Sequence, residues 1–216
     1  MLKFLISAIV ALALGACTPL TSPHPLFELA DQTGPAPLAE GVWVGLNHEC
    51  TREMANTSPL PQGCEGATLR RASDGAWTLS GPGKDHEGRP QTENLRLIIV
   101  AAVARARGDA YAPLYIVELD PSQADPHAGP ASQRRIYGVI APIAGAPATE
   151  AFFLSIDCEA ILREGPIAGI TAERDGAGNL TGCTTQSAEA VRQAARRALI
   201  EGISNIDQSR LLFVHG

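Results

Sequence analysis

The five cysteines are the residues of this 216-residue sequence whose spacing says most about chemistry. Cys17 ends an apolar stretch near the start, and the others are spread over the rest of the chain: Cys50, Cys64, Cys158 and Cys183. Depending on compartment, a cysteine pairs as a disulfide, binds a metal or accepts a covalent group. The surroundings of Cys17 indicate which chemistry applies.

The first 16 residues have the layout of an export signal. Lys3 supplies a positive start, and Phe4 to Leu14 is an apolar run of eleven residues, within the usual window of about 7–15. Small residues follow before Cys17. The run is far shorter than the roughly 20 residues of a membrane-spanning helix. The sequence therefore predicts that residues 1–16 are a signal peptide.

The run Leu14-Gly-Ala-Cys17 resembles the lipobox of bacterial lipoproteins, and the resemblance covers residues 1–18. It implies cleavage between Ala16 and Cys17 and attachment of two or three acyl chains to Cys17. Because one acyl chain alone binds a membrane only marginally, several chains imply a stable membrane anchor. Thr18 after the cysteine implies sorting to the outer membrane, facing the periplasm. The competing interpretation is an ordinary secretory signal.

Setting Cys17 aside leaves an even number of cysteines, which predicts two disulfides in an exported protein. We favour Cys50–Cys64 and Cys158–Cys183 over the other two connectivities, because each pair lies within one half of the chain. Each loop would stabilise the fold by about 3 kcal/mol in the chain-entropy model. A four-thiolate zinc site is the alternative, but the sequence has no C-x-x-C pair.

The histidines do not form a metal-binding pattern. The nearest approaches are His48-Glu49, Asp85-His-Glu87 and Asp125-Pro-His127. None places two ligands four residues apart on a helix. We predict surface histidines and no metal site, with His86 and His127 as the alternative ligands because loops often carry sites.

No catalytic motif is present: G-x-S-x-G and S-x-x-K are both missing from the sequence. The carboxylate pairs Glu49/Glu53 and Asp120/Asp125 have a spacing that permits acid–base chemistry, but solvated charge is the ordinary reason for such pairs. We therefore predict a protein that is not an enzyme and holds no cofactor. Without Lys3 the chain carries 16 basic and 23 acidic residues, a formal charge of −7, which argues against a nucleic-acid partner.

Gly41-Val-Trp43 resembles the Gly-x-Trp that opens the barrel of lipocalins, exported carriers of apolar ligands. The same pattern recurs at Gly75-Ala-Trp77, beside a predicted turn. We favour Trp43 as a core residue and keep a lipocalin-like carrier as an alternative.

The mature chain is predicted to have two parts. Residues 17–39 contain five prolines and read as an extended tether, while residues 40–216 form a single periplasmic domain. Strands are expected at 41–46, 67–72, 76–79, 95–105, 111–119, 135–143, 150–156, 167–174, 180–183 and 209–214. Polar loops are expected at 80–93 and 120–133. An amphipathic helix is expected over about 186–202, capped by Thr184 or Thr185.

These elements predict an α+β fold: an antiparallel β-sheet or partly closed β-barrel with one C-terminal helix packed on it. The run at 97–103 does not alternate between apolar and polar residues, so it should be buried on both faces or covered by the helix. The function most consistent with the sequence is a non-enzymatic binding or envelope-assembly module with a possible envelope protein partner. The alternatives are the lipocalin-like carrier and an inhibitor of an envelope enzyme.

Overall fold

A computed structural model describes residues 18–46, 49–84, 90–103, 114–121, 133–143, 147–202 and 210–214. Three helices lie in these ranges: α1 (Arg52–Ala55), α2 (Cys158–Arg163) and α3 (Ala188–Gly202). The strands are β1 (Leu20–Ser22), β2 (Gly41–Leu46), β3 (Gly66–Arg71), β4 (Trp77–Lys84), β5 (Pro90–Val103), β6 (Leu114–Asp120), β7 (Arg135–Pro142), β8 (Glu150–Ser155), β9 (Ile170–Arg174), β10 (Leu180–Thr185) and β11 (Arg210–Val214).

Eight of the strands pair in a closed ring. β2 to β8 pair antiparallel in chain order. The C-terminal strand β11 completes the ring, because it pairs with β8 on one edge and β2 on the other. The predicted α+β fold with an antiparallel sheet and a C-terminal helix is confirmed. The ring is a barrel closed by backbone hydrogen bonds.

The barrel interior is filled by one apolar cluster. Side chains on a strand alternate between its two faces, so directly paired residues share a face. Trp43 pairs with Ala67, and Trp77 pairs with Leu97. The buried members of the cluster are Leu38, Trp43, Ala67, Leu69, Trp77, Leu79, Leu95, Leu97, Ile99, Val117, Leu119, Ile140, Ala148 and Ala151. Trp43 is 2% exposed, which confirms it as a core residue.

Helix α3 covers the outer face of the barrel across β5, β7 and β8. Its apolar stripe, which includes Val191 and Ala195, joins Ile98 and Val100 of β5 in a second buried cluster. Residues 97–100 therefore have buried side chains on both faces, as predicted, whereas Ala101 is exposed. The helix is capped by Ser187, whose hydroxyl accepts from the Ala190 amide at 3.2 Å, and not by either threonine expected to do so.

One difference from the sequence prediction concerns the residues that join β4 to β5. The expected polar loop at 80–93 is largely strand, because β4 continues to Lys84 and β5 begins at Pro90. The hairpin of β3 and β4 has the expected Asp-Gly turn, with Gly75 at φ 92°.

The larger correction concerns residues 18–39, which the sequence assigned to a tether. They form β1, and Leu20, Phe27 and Leu38 are at most 4% exposed. The folded domain therefore includes residues 18–39 and does not begin near Glu40. Prolines suit an extended segment that needs few amide donors, and the apolar residues between them bury that segment on the barrel.

β1 also joins the barrel to the β9–β10 hairpin. It pairs antiparallel with the start of β7 and parallel with β10, while β10 pairs with β9. The predicted disulfides Cys50–Cys64 and Cys158–Cys183 are both present. The first lies in a small cluster outside β2. The second connects α2 to β10 within the cluster under α3.

Replacing each disulfide by two alanines should produce unequal losses of stability. The closed loops have sequence separations of 14 and 25 residues, worth about 3 and 3.5 kcal/mol by chain entropy. Cys158 and Cys183 also belong to the larger core cluster, so their replacement should cost more than replacement of Cys50 and Cys64. Urea unfolding of the two variants measures the difference, and equal losses would contradict the packing argument.

Candidate functional site

The most distinctive surface feature is the segment Thr18 to Ala39, here called the N-terminal strap. It runs from β1 over the outside of the barrel, makes a 3₁₀ turn at Leu29–Asp31 and ends across one opening of the barrel. There, the Ala39 amide donates to the Ala148 carbonyl at 2.9 Å, and the Ala148 amide donates to the Pro37 carbonyl at 3.0 Å. The strap therefore contacts the barrel at both of its ends, through β1 and through Pro37 to Ala39.

The first residue of the strap is held on both sides of its backbone. The Thr18 amide donates to Asp157 Oδ2 at 3.0 Å, and the Thr18 carbonyl accepts from the Cys158 amide at 2.8 Å. Asp157 is also the N-cap of α2, because its Oδ1 accepts from the Ala160 amide at 2.9 Å. One carboxylate thus binds both the helix end and the residue that follows Cys17.

A buried carboxylate holds the middle of the strap. Glu118 on β6 is 4% exposed, and its Oε2 accepts from the amides of Leu26 at 2.9 Å and Phe27 at 3.2 Å. The same oxygen lies 3.1 Å from the hydroxyl of Tyr137, which is on the neighbouring strand β7. A buried amide without a partner is costly, so Glu118 supplies an acceptor that the strap needs.

The Tyr137 hydroxyl continues this network into β1. It lies 2.7 Å from Ser22 Oγ, and Ser22 Oγ in turn contacts the His24 carbonyl. Three oxygen–oxygen contacts thus link Glu118, Tyr137, Ser22 and His24, while the two hydroxyls provide only two protons. The Tyr137 hydroxyl donates to Glu118 Oε2 and the Ser22 hydroxyl donates to the His24 carbonyl, so the two hydroxyls connect the buried carboxyl group to the backbone of the strap.

Burial of Glu118 changes the pKa of its carboxyl group. It raises the pKa of the Glu118 carboxyl above its ordinary value, and the hydrogen bonds from Leu26, Tyr137 and Phe27 and the charge of Arg135 offset only part of the shift. Burial likewise raises the pKa of the Tyr137 hydroxyl well above its usual range. Tyr137 therefore stays a neutral phenol, and folding shifts the titration of the Glu118 carboxyl to higher pH than in the unfolded chain.

A cleft of about 290 Å³ lies beside this network, between the strap and the barrel. Its lining residues are Pro25, Phe27, Glu28, Leu29, Arg96, Ile98, Glu118, Asp120 and Arg135. Its two arginines already have carboxylate partners, since Arg96 pairs with Asp74 at 2.7 Å and Arg135 pairs with Asp120. Both arginines of this cleft are thus paired within the domain.

A second cleft, of about 370 Å³, lies along β9 and β10. Arg134 is one of its lining residues, and one guanidinium nitrogen of Arg134 donates to both carboxylate oxygens of Glu173 at 2.8 and 3.0 Å. Threonines 171, 184 and 185 contribute hydroxyls to its lining. This cleft is more polar than the first, and its principal charges also neutralise each other.

The residues proposed from sequence as sites are dispersed. Ala16, Cys17, His48, His86, His127 and His215 lie outside the described residues, while His24 is exposed in the strap. Glu49 and Glu53 are exposed near the Cys50–Cys64 disulfide, and Asp120 is held by Arg135. Asp125 and the loop at 122–132 also lie outside the described ranges.

Within the described part of the chain, no group of three histidine, cysteine, aspartate or glutamate side chains is arranged to hold a metal ion. The helices described here include none of the length and apolarity needed to cross a membrane.

Sequence reasoning missed Glu118, Tyr137 and Ser22. A signal for Glu118 existed, because it interrupts an otherwise apolar strand, Leu114 to Leu119. Its partners could not be read from the sequence, since Ser22 and Tyr137 are 115 residues apart. With the fold and these contacts established, comparison with known proteins adds no assignment: no family model, curated protein or solved structure matches this chain.

Replacing Glu118 tests how the strap is held. Glu118→Ala should destabilise the protein by about 1–3 kcal/mol for each amide left without an acceptor. Glu118→Gln keeps one carbonyl acceptor and should cost less. Glu159→Gln, a change at an exposed carboxylate on α2, is the matched control and should stay within about 0.5 kcal/mol of wild type. Denaturant unfolding measures all three, and equal losses for Glu118→Ala and Glu159→Gln would contradict this role.

The raised pKa of Glu118 predicts a pH dependence with a defined sign. The folded state binds this proton more tightly than the unfolded state, so the stabilisation is complete below the ordinary carboxyl pKa. It is lost as pH rises through the raised value. Wild type should therefore lose stability relative to Glu118→Gln as pH rises through this window. The measurement is the unfolding free energy of both proteins across pH. An increase in the stability of wild type relative to Glu118→Gln as pH rises would contradict the prediction.

Proposed function

We propose that this protein is a lipoprotein anchored through acylated Cys17, sorted to the outer membrane and facing the periplasm, where it acts as a non-enzymatic binding or envelope-assembly module. The proposal joins the signal-like residues 1–16 to the domain that begins at Thr18. It assigns the membrane as the first partner and an envelope protein as the second.

The pairing of the cysteines carries this proposal. Cys50, Cys64, Cys158 and Cys183 are consumed by the two disulfides, and such bonds persist in oxidising compartments outside the cytosol. Cys17 is the one cysteine of the sequence left over. A single remaining thiol directly after a signal-like segment is the group that the lipobox resemblance expects to be acylated.

The contacts described above support a binding or assembly role over catalysis. The arginines lining both clefts, Arg96, Arg134 and Arg135, form ion pairs within the domain. The buried Glu118 binds the protein's own strap through Leu26 and Phe27. Ion pairs and hydrogen bonds within the domain therefore account for the positions of these titratable groups.

Neither alternative function is favoured by a specific observation. A carrier of apolar ligands requires free space inside the barrel, whereas the described interior positions form one packed cluster that includes both tryptophans. An inhibitor would present an exposed loop to its target, but residues 80–84 and 90–93 of one expected loop belong to strands.

Replacing Cys17 tests the anchor directly. Cys17→Ser should abolish incorporation of radiolabelled fatty acid into the protein, because the hydroxyl is not the acceptor of the diacylglyceryl group. The matched control is Thr18→Ser, which alters the adjacent residue but keeps the thiol and both backbone hydrogen bonds. Label present in the control and missing from Cys17→Ser is the expected result. Equal labelling of the two variants would overturn the proposal.

A further inference from the structure

We propose that the acylated protein lies directly against the bilayer through one defined face, formed by residues 157–160 and 175–181 and here called the anchor face. This inference rests on the proposed acylation of Cys17 and adds an orientation to it. The fold itself provides the reason, because it removes the spacer between anchor and domain.

The first step concerns the distance between Cys17 and the folded domain. If residues 17–39 were a free tether, their 23 residues would span up to about 80 Å when extended. Thr18 is instead fixed to Asp157 and Cys158 by its amide and carbonyl. Leu20 is fully buried, and its amide donates to the Ile156 carbonyl at 2.9 Å. Only one Cα–Cα step, about 3.8 Å, then separates Cys17 from the folded surface.

The second step identifies the surface at that point. Asp157 and the first turn of α2 contact Thr18 directly. Because Leu20 pairs in parallel with Cys183, Thr18 is aligned with Thr181, which is exposed. The exposed turn at 175–179 immediately precedes β10. The residues next to the acyl chains are therefore those of the anchor face.

The third step concerns charge. The anchor face contains Asp157, Glu159 and Asp175 and no lysine or arginine. Arg174 adjoins it and donates to the Gly178 carbonyl at 2.8 Å, so with this arginine included the surface still has a net negative charge. Basic residues are what attract a protein to anionic lipid, so this face has no electrostatic affinity of its own for such a surface. The acyl chains must hold it there, and the unacylated domain should not bind vesicles.

Two positions allow the orientation to be measured. Ala177 lies at the tip of the turn that Asp175 braces, with Asp175 Oδ1 accepting from the amides of Ala177 and Asn179 at 2.9 Å. Ser73 is exposed in the β3–β4 turn. That turn lies at the end of the barrel where β8 begins, whereas Asp157 follows the other end of β8. β4 is also four strands from β8 around the eight-stranded ring.

The experiment places a thiol-reactive fluorophore on Ala177→Cys or Ser73→Cys. The native disulfides are buried, at no more than 7% exposure, and stay intact without reductant. Each acylated protein, purified from membranes, is reconstituted in phosphatidylcholine vesicles that carry a headgroup nitroxide quencher. A third form with a 20-residue Gly-Ser insert between Cys17 and Thr18 restores a spacer with a root-mean-square length of about 25 Å. The Cys17→Ser protein is the unacylated control.

Quenching should be at least about twofold stronger at Ala177 than at Ser73, because the headgroup layer is only about 5–7 Å thick on each side. The ratio should fall towards one with the spacer, and the unacylated control should show no quenching. Equal quenching at both positions of a protein that mass spectrometry shows to be acylated would overturn the orientation and leave the anchor standing. Protein that carries no acyl group on Cys17 would overturn both.

Discussion

Three residues, Leu20 to Ser22, hold the two parts of the β-structure together. β1 occupies the edge of β7 on one side and the edge of β10 on the other, so neither strand is left with open backbone groups there. The Cys158–Cys183 disulfide reinforces the same junction, because Cys183 pairs with Leu20 and the Cys158 amide binds the Thr18 carbonyl. The first strand of the described chain is therefore an internal strand of the fold.

Glu118 shows how backbone amides of the strap find hydrogen-bond acceptors where the strap packs on the barrel. A buried carboxylate is costly as an anion, yet this one supplies the acceptor for two strap amides and meets the Tyr137 hydroxyl. The Tyr137 hydroxyl lies 2.7 Å from Ser22 Oγ, which in turn contacts the His24 carbonyl. The network thus connects Glu118 on β6 to Ser22 on β1 through Tyr137 on β7.

Docking of the strap would fix the orientation of the domain relative to the proposed anchor. A flexible tether would let the domain rotate and move freely above a membrane. A strap fixed from Thr18 onward would transmit the position of Cys17 to the domain, so that the same face always points to the bilayer. An envelope partner would then meet a surface of constant orientation, which suits an assembly role.

Local features of this protein were predictable from the sequence, and long-range ones were not. The two disulfides join residues 14 and 25 apart, and the β3–β4 hairpin and helix α3 follow from turn residues and apolar spacing that lie within short windows. By contrast, β11 closes the ring by pairing with β2, over 160 residues earlier, and no local pattern specifies that register. The strap is the clearest case, because a proline-rich stretch suits a tether and a docked extended segment equally well. Only the burial of Leu20, Phe27 and Leu38 against the assembled barrel decided between them.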